Sequence, residues 1–321
     1  MKSLIRRFLP ILMLLMAGLS EAQTSSAEVV TLVVPTTPGT GADIASRLLA
    51  PRLSQRLGRP VVVENRTGAS GTIAIGAVAK AGPDGHTILI VPNTMAMISS
   101  LYKGLPWDPV DDFAPVARLG KMLVATVVNP SVPANSIAQL VTLAKSKPGE
   151  LNYATPGSGT PHHLRTEMFK RITGINIVHV PFKGSAGAVT DIAAGHVQIG
   201  FFPLHSVLPF VKAGKLRMLA TSGDTRSAWT PDVPTYRESG INGLNDYDWL
   251  GAFVPRRTPK ETVNRISSEL IAIFSAPEFQ EELSQRGIIA NPGGPDDLSA
   301  LLKRELVEWK KVVTEGRIVA D

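Results

Sequence analysis

The hydrophobic residues of this chain fall into short apolar runs separated by stretches with helical spacing. Val29-Val30-Thr31-Leu32-Val33-Val34 is a continuous run rich in β-branched residues, which predicts a strand buried on both faces. Pro and Gly stop it, and a helical pattern follows over residues 41–57. Val61-Val62-Val63 predicts a second strand, 72–80 a short helix and 86–91 a third strand. The alternation restarts with strands over 123–128, 151–154, 177–180, 197–202 and 216–221, with helices between them, notably 137–145 and 161–172. A strand over 250–254 precedes a mostly helical tail from Lys260, near which only residues 288–290 read as strand. Leu298, Leu301, Leu302, Glu305, Leu306 and Trp309 have the three-and-four spacing of a helix that buries one face, so Trp309 reads as core. Apolar strands alternating with helices predict an α/β fold. Two successive sets predict two lobes, residues 28–121 plus 248–321 and residues 122–247. The split first lobe follows from the tail, whose helices need a sheet to cover.

The first residues have a different pattern. Three bases, Lys2, Arg6 and Arg7, precede an almost wholly apolar run over 8–19, and the small residue Ala22 follows two positions after Ser20. This is the layout of a secretory signal over residues 1–22. The run is about a dozen residues, short of the ~20 that a membrane-spanning helix needs. A cleaved signal and a periplasmic location are expected. Composition narrows the chemistry further. There are no cysteines, which excludes disulfides, thiolate metal sites and Cys nucleophiles. The formal charge is +6, the excess is spread along the chain, and no aromatic-rich basic stripe of the nucleic-acid-binding kind is present.

In open α/β sheets, ligands sit outside the carboxyl ends of the strands. The first such loop is Pro35-Thr36-Thr37-Pro38-Gly39-Thr40-Gly41-Ala42-Asp43. Its hydroxyls and backbone N–H groups at a helix start favour an anion. Asp43 would repel one, so it reads as a residue that orders the loop or accepts from an ammonium group. The second is Ala154-Thr155-Pro156-Gly157-Ser158-Gly159-Thr160-Pro161, which opens a helix with Pro in its first turn. Two such loops, one per lobe, would face each other across a cleft. His163 and Glu167 share a helix face, but nothing nearby completes a metal site. The glycine spacing matches neither a hydrolase elbow nor a phosphate loop nor a dinucleotide fingerprint.

With these loops stand further blocks in order: Val61-Val62-Val63-Glu64-Asn65-Arg66-Thr67-Gly68-Ala69-Ser70-Gly71, Asp84-Gly85-His86-Thr87-Ile88-Leu89, Tyr153 through Thr160 with His163-Leu164, Val180-Pro181-Phe182-Lys183-Gly184, Asp191 with Gly195, and Gly214-Lys215-Leu216-Arg217. Along nearly the whole length after the signal, the chain resembles the substrate-binding receptors of tripartite tricarboxylate transporters, the Bug proteins. The resemblance implies a two-lobed periplasmic binding protein of the Venus-flytrap type, each lobe a mostly parallel sheet flanked by helices. It implies capture of a small organic acid and delivery to integral-membrane permease subunits, with no catalysis, cofactor, metal or nucleic acid, by a monomer. Carried over by position, it points to Thr36, Thr37, Gly39, Thr40, Ser70, Thr155, Gly157, Ser158 and Thr160 as ligand-binding residues.

The chain departs from the family pattern at Thr36, where an aromatic is usual, at Thr40, where a second Gly is usual, and at Gly187, where Pro is usual. Phe201-Phe202-Pro203 replaces a more polar ending and suits a wall for an apolar ligand body. A periplasmic sensing module, or an enzyme on the same scaffold with a base beside Ser70 or Ser158, are the alternative readings.

Overall fold

The computed structural model describes residues 28–316. The expected signal over residues 1–22 lies outside them. The chain first forms β1 (Val30–Val34), α1 (Gly41–Leu57), β2 (Val61–Asn65), α2 (Thr72–Ala79), β3 (Thr87–Pro92), α3 (Thr94–Leu101) and β4 (Phe113–Met122). It then crosses to a second sheet with β5 (Val124–Val128), α4 (Ile137–Ser146), β6 (Asn152–Thr155), α5 (Pro161–Thr173), β7 (Val178–Pro181), α6 (Ser185–Ala194), β8 (Ile199–Pro203), α7 (Leu204–Lys212) and β9 (Arg217–Thr221). It returns as β10 (Asp248–Pro255), α8 (Lys260–Ser275), α9 (Pro277–Ser284), β11 (Ile289–Gly293) and α10 (Pro295–Gly316). The sheets are ordered β11-β4-β10-β3-β1-β2 and β7-β6-β8-β5-β9. The tail thus completes the first sheet, as its uncovered helices required.

The continuous apolar run of β1 has a direct cause. Leu32 and Val34 point into the layer under α1, α8 and α9, while Val33 points into the opposite layer with α2, α3 and α10. All three are fully buried, because both faces of the strand are covered. Trp309 packs in the second of those layers with Leu298 and Leu302, as its spacing predicted.

By direction the strands are mostly parallel. β2, β1, β3 and β4 run one way against β10 and β11, and β7, β6, β8 and β9 run one way against β5. By pairing the sheets are mixed, because the strands that carry the chain between them, β5 and β10, lie antiparallel to their neighbours. The apolar pattern missed β4 and α3. In β4, register shifts opposite Leu250/Gly251 and Ala252/Phe253 break the period of two. Residues three apart, Pro115, Arg118 and Lys121, are the half-exposed ones as a result. The expectation that Phe201 and Phe202 form a ligand wall is corrected. Phe201 packs in a core with Tyr153 and Phe169, and Phe202 in another with Ile192 and Ala188. Successive strand residues point to opposite faces, so both enter the layers on either side of the second sheet.

Close packing of α10 on β10 depends on a missing side chain. A β-carbon on Gly251 would fall 2.9 Å from Leu298 Cδ1 and 3.1 Å from Phe253 Cε2. Gly251→Val should therefore destabilise the fold by roughly 1–3 kcal/mol through overpacking. Urea unfolding should show a lower midpoint with an unchanged slope. An unchanged midpoint would mean that this layer yields freely.

Candidate functional site

The loop after β1 is held from inside. Asp43 is buried and accepts from the Gly39 amide, Arg47 Nε and Asn65 Nδ2, each at 2.9 Å. Burial alone pushes its carboxyl up, but the bonds from Arg47, Gly39 and Asn65 outweigh that and hold it below the ordinary aspartate value. Asn65 also donates to Thr36 O at 3.1 Å. Asp43 therefore orders the loop. Thr40 Oγ1 donates to Thr37 O at 3.0 Å and lies 2.6 Å from Thr36 Oγ1. A hydroxyl has one proton, so Thr36 donates to Thr40. Both hydroxyls are spent on the loop. Thr40 makes no side-chain cap on α1, which leaves the helix start to backbone N–H groups. Thr37 and Gly39 are exposed at the tip.

The loop after β6 is braced in the same way. Thr155 is fully buried, and its Oγ1 lies 3.1 Å from Gly157 O and 2.7 Å from His179 Nε2. Thr160 Oγ1 donates to Gly157 O at 2.7 Å and accepts from the His163 amide at 3.4 Å, capping α5. The Gly159 amide donates to His163 Nδ1 at 3.1 Å. Beneath the loop the His163 and His179 rings stack at 4.1 Å, and His179 stacks on Tyr153 at 4.9 Å. Tyr153 donates to Glu167, which Lys170 also contacts. His163 and Glu167 thus brace the loop. Among the described residues no group of His, Asp and Glu is arranged to hold a metal.

The two loops meet. Ser70 Oγ donates to Ser158 O at 3.4 Å. Gly184, after β7, faces Thr37 Oγ1 across the same gap. Gly159 (φ 71) presses on α3, where a β-carbon would fall 2.7 Å from Leu101 Cδ2. Ala69 and Ser70 have positive φ, 45° and 54°, the only such non-glycine residues among those described. That conformation costs about 1–3 kcal/mol per residue and clusters at ligand sites. Of the residues singled out in the sequence, Thr37, Ser70 and Ser158 stand at these contacts, whereas Gly157 packs beside Phe182 O and Thr160 within its own loop region. Gly39 and Thr40 lie beside it through the α1 start. Thr36, Thr155 and Thr160 use their hydroxyls to shape the loops.

Sequence reasoning missed a buried charged cluster behind the loops. Asp248 opens β10, and its carboxylate lies 3.2 Å from Arg165 Nη2, 3.1 Å from His162 Nε2 and 3.3 Å from Asn93 Nδ2. Arg165 and His162 are on α5, whereas Asn93 follows β3. Burial opposes ionisation of Asp248, but Arg165 and His162, with Asn93, overcome it and hold the carboxyl at about 2. His205, at the start of α7, is pushed down to about 4, first by burial and then by His162, with Asp248 acting the other way. Gly41 makes room for it: a β-carbon there would lie 3.2 Å from His205 Cε1 and 2.2 Å from Met122 Sδ. Only the pair His162-His163 hinted at this cluster in the sequence.

A histidine with a depressed folded value resists protonation in the folded state. Its contribution is fully present above its ordinary value near 6.5 and is lost as the pH falls towards 4, roughly 3 kcal/mol in all. Glu305, pushed up to about 7 by burial, works in the opposite sense and loses stability as the pH rises from 4.5 to 7. Comparing wild type with His205→Gln isolates the histidine. Between pH 7 and 5 the wild type should lose about 2 kcal/mol more than the variant in urea unfolding. Equal losses would mean that His205 does not sense pH.

The model of the tripartite tricarboxylate transporter family receptor matches residues 45–317. BugT of Bordetella pertussis is 32% identical over 296 residues, covering 92% of this chain and 91% of that protein. The structure of R. palustris Rpa4515 with adipate is 35% identical with a TM-score of 0.85, covering 90% of this chain and 97% of that one. The periplasmic binding protein BugD is 30% identical with a TM-score of 0.84, covering 91% of this chain and 99% of that one. The family model begins within α1 and runs through the loop after β6 to the last helix, and the chain belongs to the tripartite tricarboxylate transporter receptor family.

Proposed function

We propose that this chain is a periplasmic receptor that binds a small carboxylate between the loops after β1 and β2 and the loop after β6 and presents it, unchanged, to membrane permease subunits. The observation that carries the reading is the contact of Ser70 with Ser158, made by loops from different sheets at strand ends, with Ser70 held at positive φ. A carboxylate in this gap meets the hydroxyls of Thr37 and Ser158 and takes over the Ser70 hydrogen bond, a long one to Ser158 O at 3.4 Å. It also meets the uncapped start of α1, whereas the amides of Gly39, Thr40 and Gly157 are engaged by Asp43, Thr37 O and Thr155 and shape the loops. Donors of this kind to an ionised acceptor are stronger than neutral hydrogen bonds. Adipate in Rpa4515 supports a carboxylate as the ligand class.

Residues 28–121 with 248–316 and residues 122–247 act as the two lobes, joined at the crossings 122–124 and 221–248. Hinge closure about such crossings is a common response to ligand. The protein acts as a monomer. Among the described residues no helix is long and apolar enough to cross a membrane.

Isothermal titration with adipate tests the reading. Ser70→Ala and Ser158→Ala should each weaken binding about tenfold, the loss of one hydrogen bond to a charged group. Thr160→Ala should instead cost ~1 kcal/mol of stability as a lost helix cap and leave affinity nearly unchanged. Adipate recovered intact by mass spectrometry would support binding without turnover. If neither adipate nor other small carboxylates raise the melting temperature while neutral sugars do, the carboxylate reading is wrong.

A further inference from the structure

The strand orders put the ligand loops on one side of the crossings. They follow β1, β2, β6 and β7, whereas the crossings leave β4 and enter β10 in the first sheet and pass through β5 in the second. Beyond them, towards β11 and β9, lies a second inter-sheet cavity of about 430 Å³. It takes residues from both sides: Arg118 and Lys121 of β4, Leu301 and Arg304 of α10, and Tyr247 with Trp249 where the chain returns.

A regular strand would send Arg118 and Lys121, three residues apart, to opposite faces. The irregularity opposite Leu250/Gly251 inserts Leu119 into the register and brings both cations to the same cavity. Arg118 Nε donates to Asn291 O at 3.0 Å, and Lys121 Nζ stands 4.1 Å over the Tyr247 ring. Among the described residues neither is ion-paired. Arg304 makes only a loose pair with Glu308 at 3.7 Å. Three acids also border the cavity. Asp224 is engaged by Arg237 at 3.0 Å, Asp246 is exposed, and Glu305 is buried and bonded by Trp309 Nε1 at 3.1 Å. Burial pushes the Glu305 carboxyl up to about 7, so near neutrality it carries only part of a charge. Cations therefore stand directly beside aromatic and aliphatic surface, with Lys121 over the Tyr247 ring.

We propose that this cavity is a second binding site, for a small aromatic carboxylate, with Lys121, Arg118 and Arg304 on the carboxylate and Tyr247, Trp249 and Leu301 on the ring. An occupant there is also coupled to the cleft. Rotation about crossings that lie between two sites closes one side as it opens the other, so filling the far side favours the closed near side. This coupling rests on the receptor reading, whereas the cavity site does not. Coupling between binding sites is reciprocal, and each ligand changes the other's affinity by the same factor.

The test is fluorine NMR titration of the full chain with 4-fluorobenzoate, run alongside adipate calorimetry. Saturable one-to-one binding is expected. Lys121→Met and Arg304→Met should each weaken it at least tenfold, with unchanged melting curves to establish folding. Ser70→Ala and Ser158→Ala should leave it unchanged. Adipate should tighten the probe by the factor by which the probe tightens adipate. Displacement of the probe by adipate would mean that it occupies the cleft, and insensitivity to both Lys121→Met and Arg304→Met, or no saturation at millimolar probe, would overturn the site. Failure of adipate and of other small carboxylates to bind in the cleft would strike the cleft reading alone, because the cavity variants are read by the probe.

Discussion

A carboxylate buried without partners would unfold a protein of ordinary stability, and Asp248, 3% exposed, is tolerated only because it has partners. Its partners are not local. Arg165 and His162 come from the first two turns of α5, under the second sheet, and Asn93 comes from the end of β3 in the first. Satisfying one charge therefore fixes where α5 stands relative to the first sheet. The start of α5 is the loop over 155–160, so the same constraint aims Ser158 at Ser70. Removing one partner would leave the others unpaired in a low-dielectric interior, a change that typically costs about 3–5 kcal/mol. The cluster is thus a positioning device, and its chemistry lies in where it puts α5.

The loops follow the same economy. Polar residues at their bases are consumed by internal bonds: Asp43 and Asn65 below the first loop, Thr155, His163 and His179 below the second. This leaves a few groups at the tips with defined directions. Preorganised donors need little rearrangement when an anion arrives, which conserves affinity. The positive φ of Ala69 and Ser70 is held by Gly68 and Gly71 on either side, both also at positive φ, and by the β1 end against Gly71. Strain of this kind persists only where its surroundings overdetermine it.

Much of this was legible in the chain itself. Buried strands and amphipathic helices show as apolar runs and as three-and-four spacing because burial acts on each element separately. The two Gly- and hydroxyl-rich loops were found by their place after a strand and before a helix. For Asp43 the chain left two roles open, ordering the loop or accepting from an ammonium group, and its bonds to Gly39, Arg47 and Asn65 decide that it orders the loop. The resemblance to the receptor family added the order of the blocks and the class of ligand. β4 was not legible, because bulges replace its period of two with a spacing of three, and those bulges arise from its pairing with β10 and β11.

The sequence by itself determined the elements, the α/β class and the loops, since these follow from local pattern and from which positions must leave water. Only the tertiary structure decided which hydroxyls brace their own loops and which stand where loops of the two sheets meet. Thr36, Thr155 and Thr160 have the same donors as Ser70 and Ser158, and nothing in the chain order tells a helix cap from a ligand contact. It also decided that Phe201 and Phe202 belong to the core and that Asp248, Arg165, His162 and Asn93 form one cluster, although they are up to 155 positions apart. Hydrogen bonds and charges act over a few ångströms in space, and the fold alone sets which distant residues come within that range.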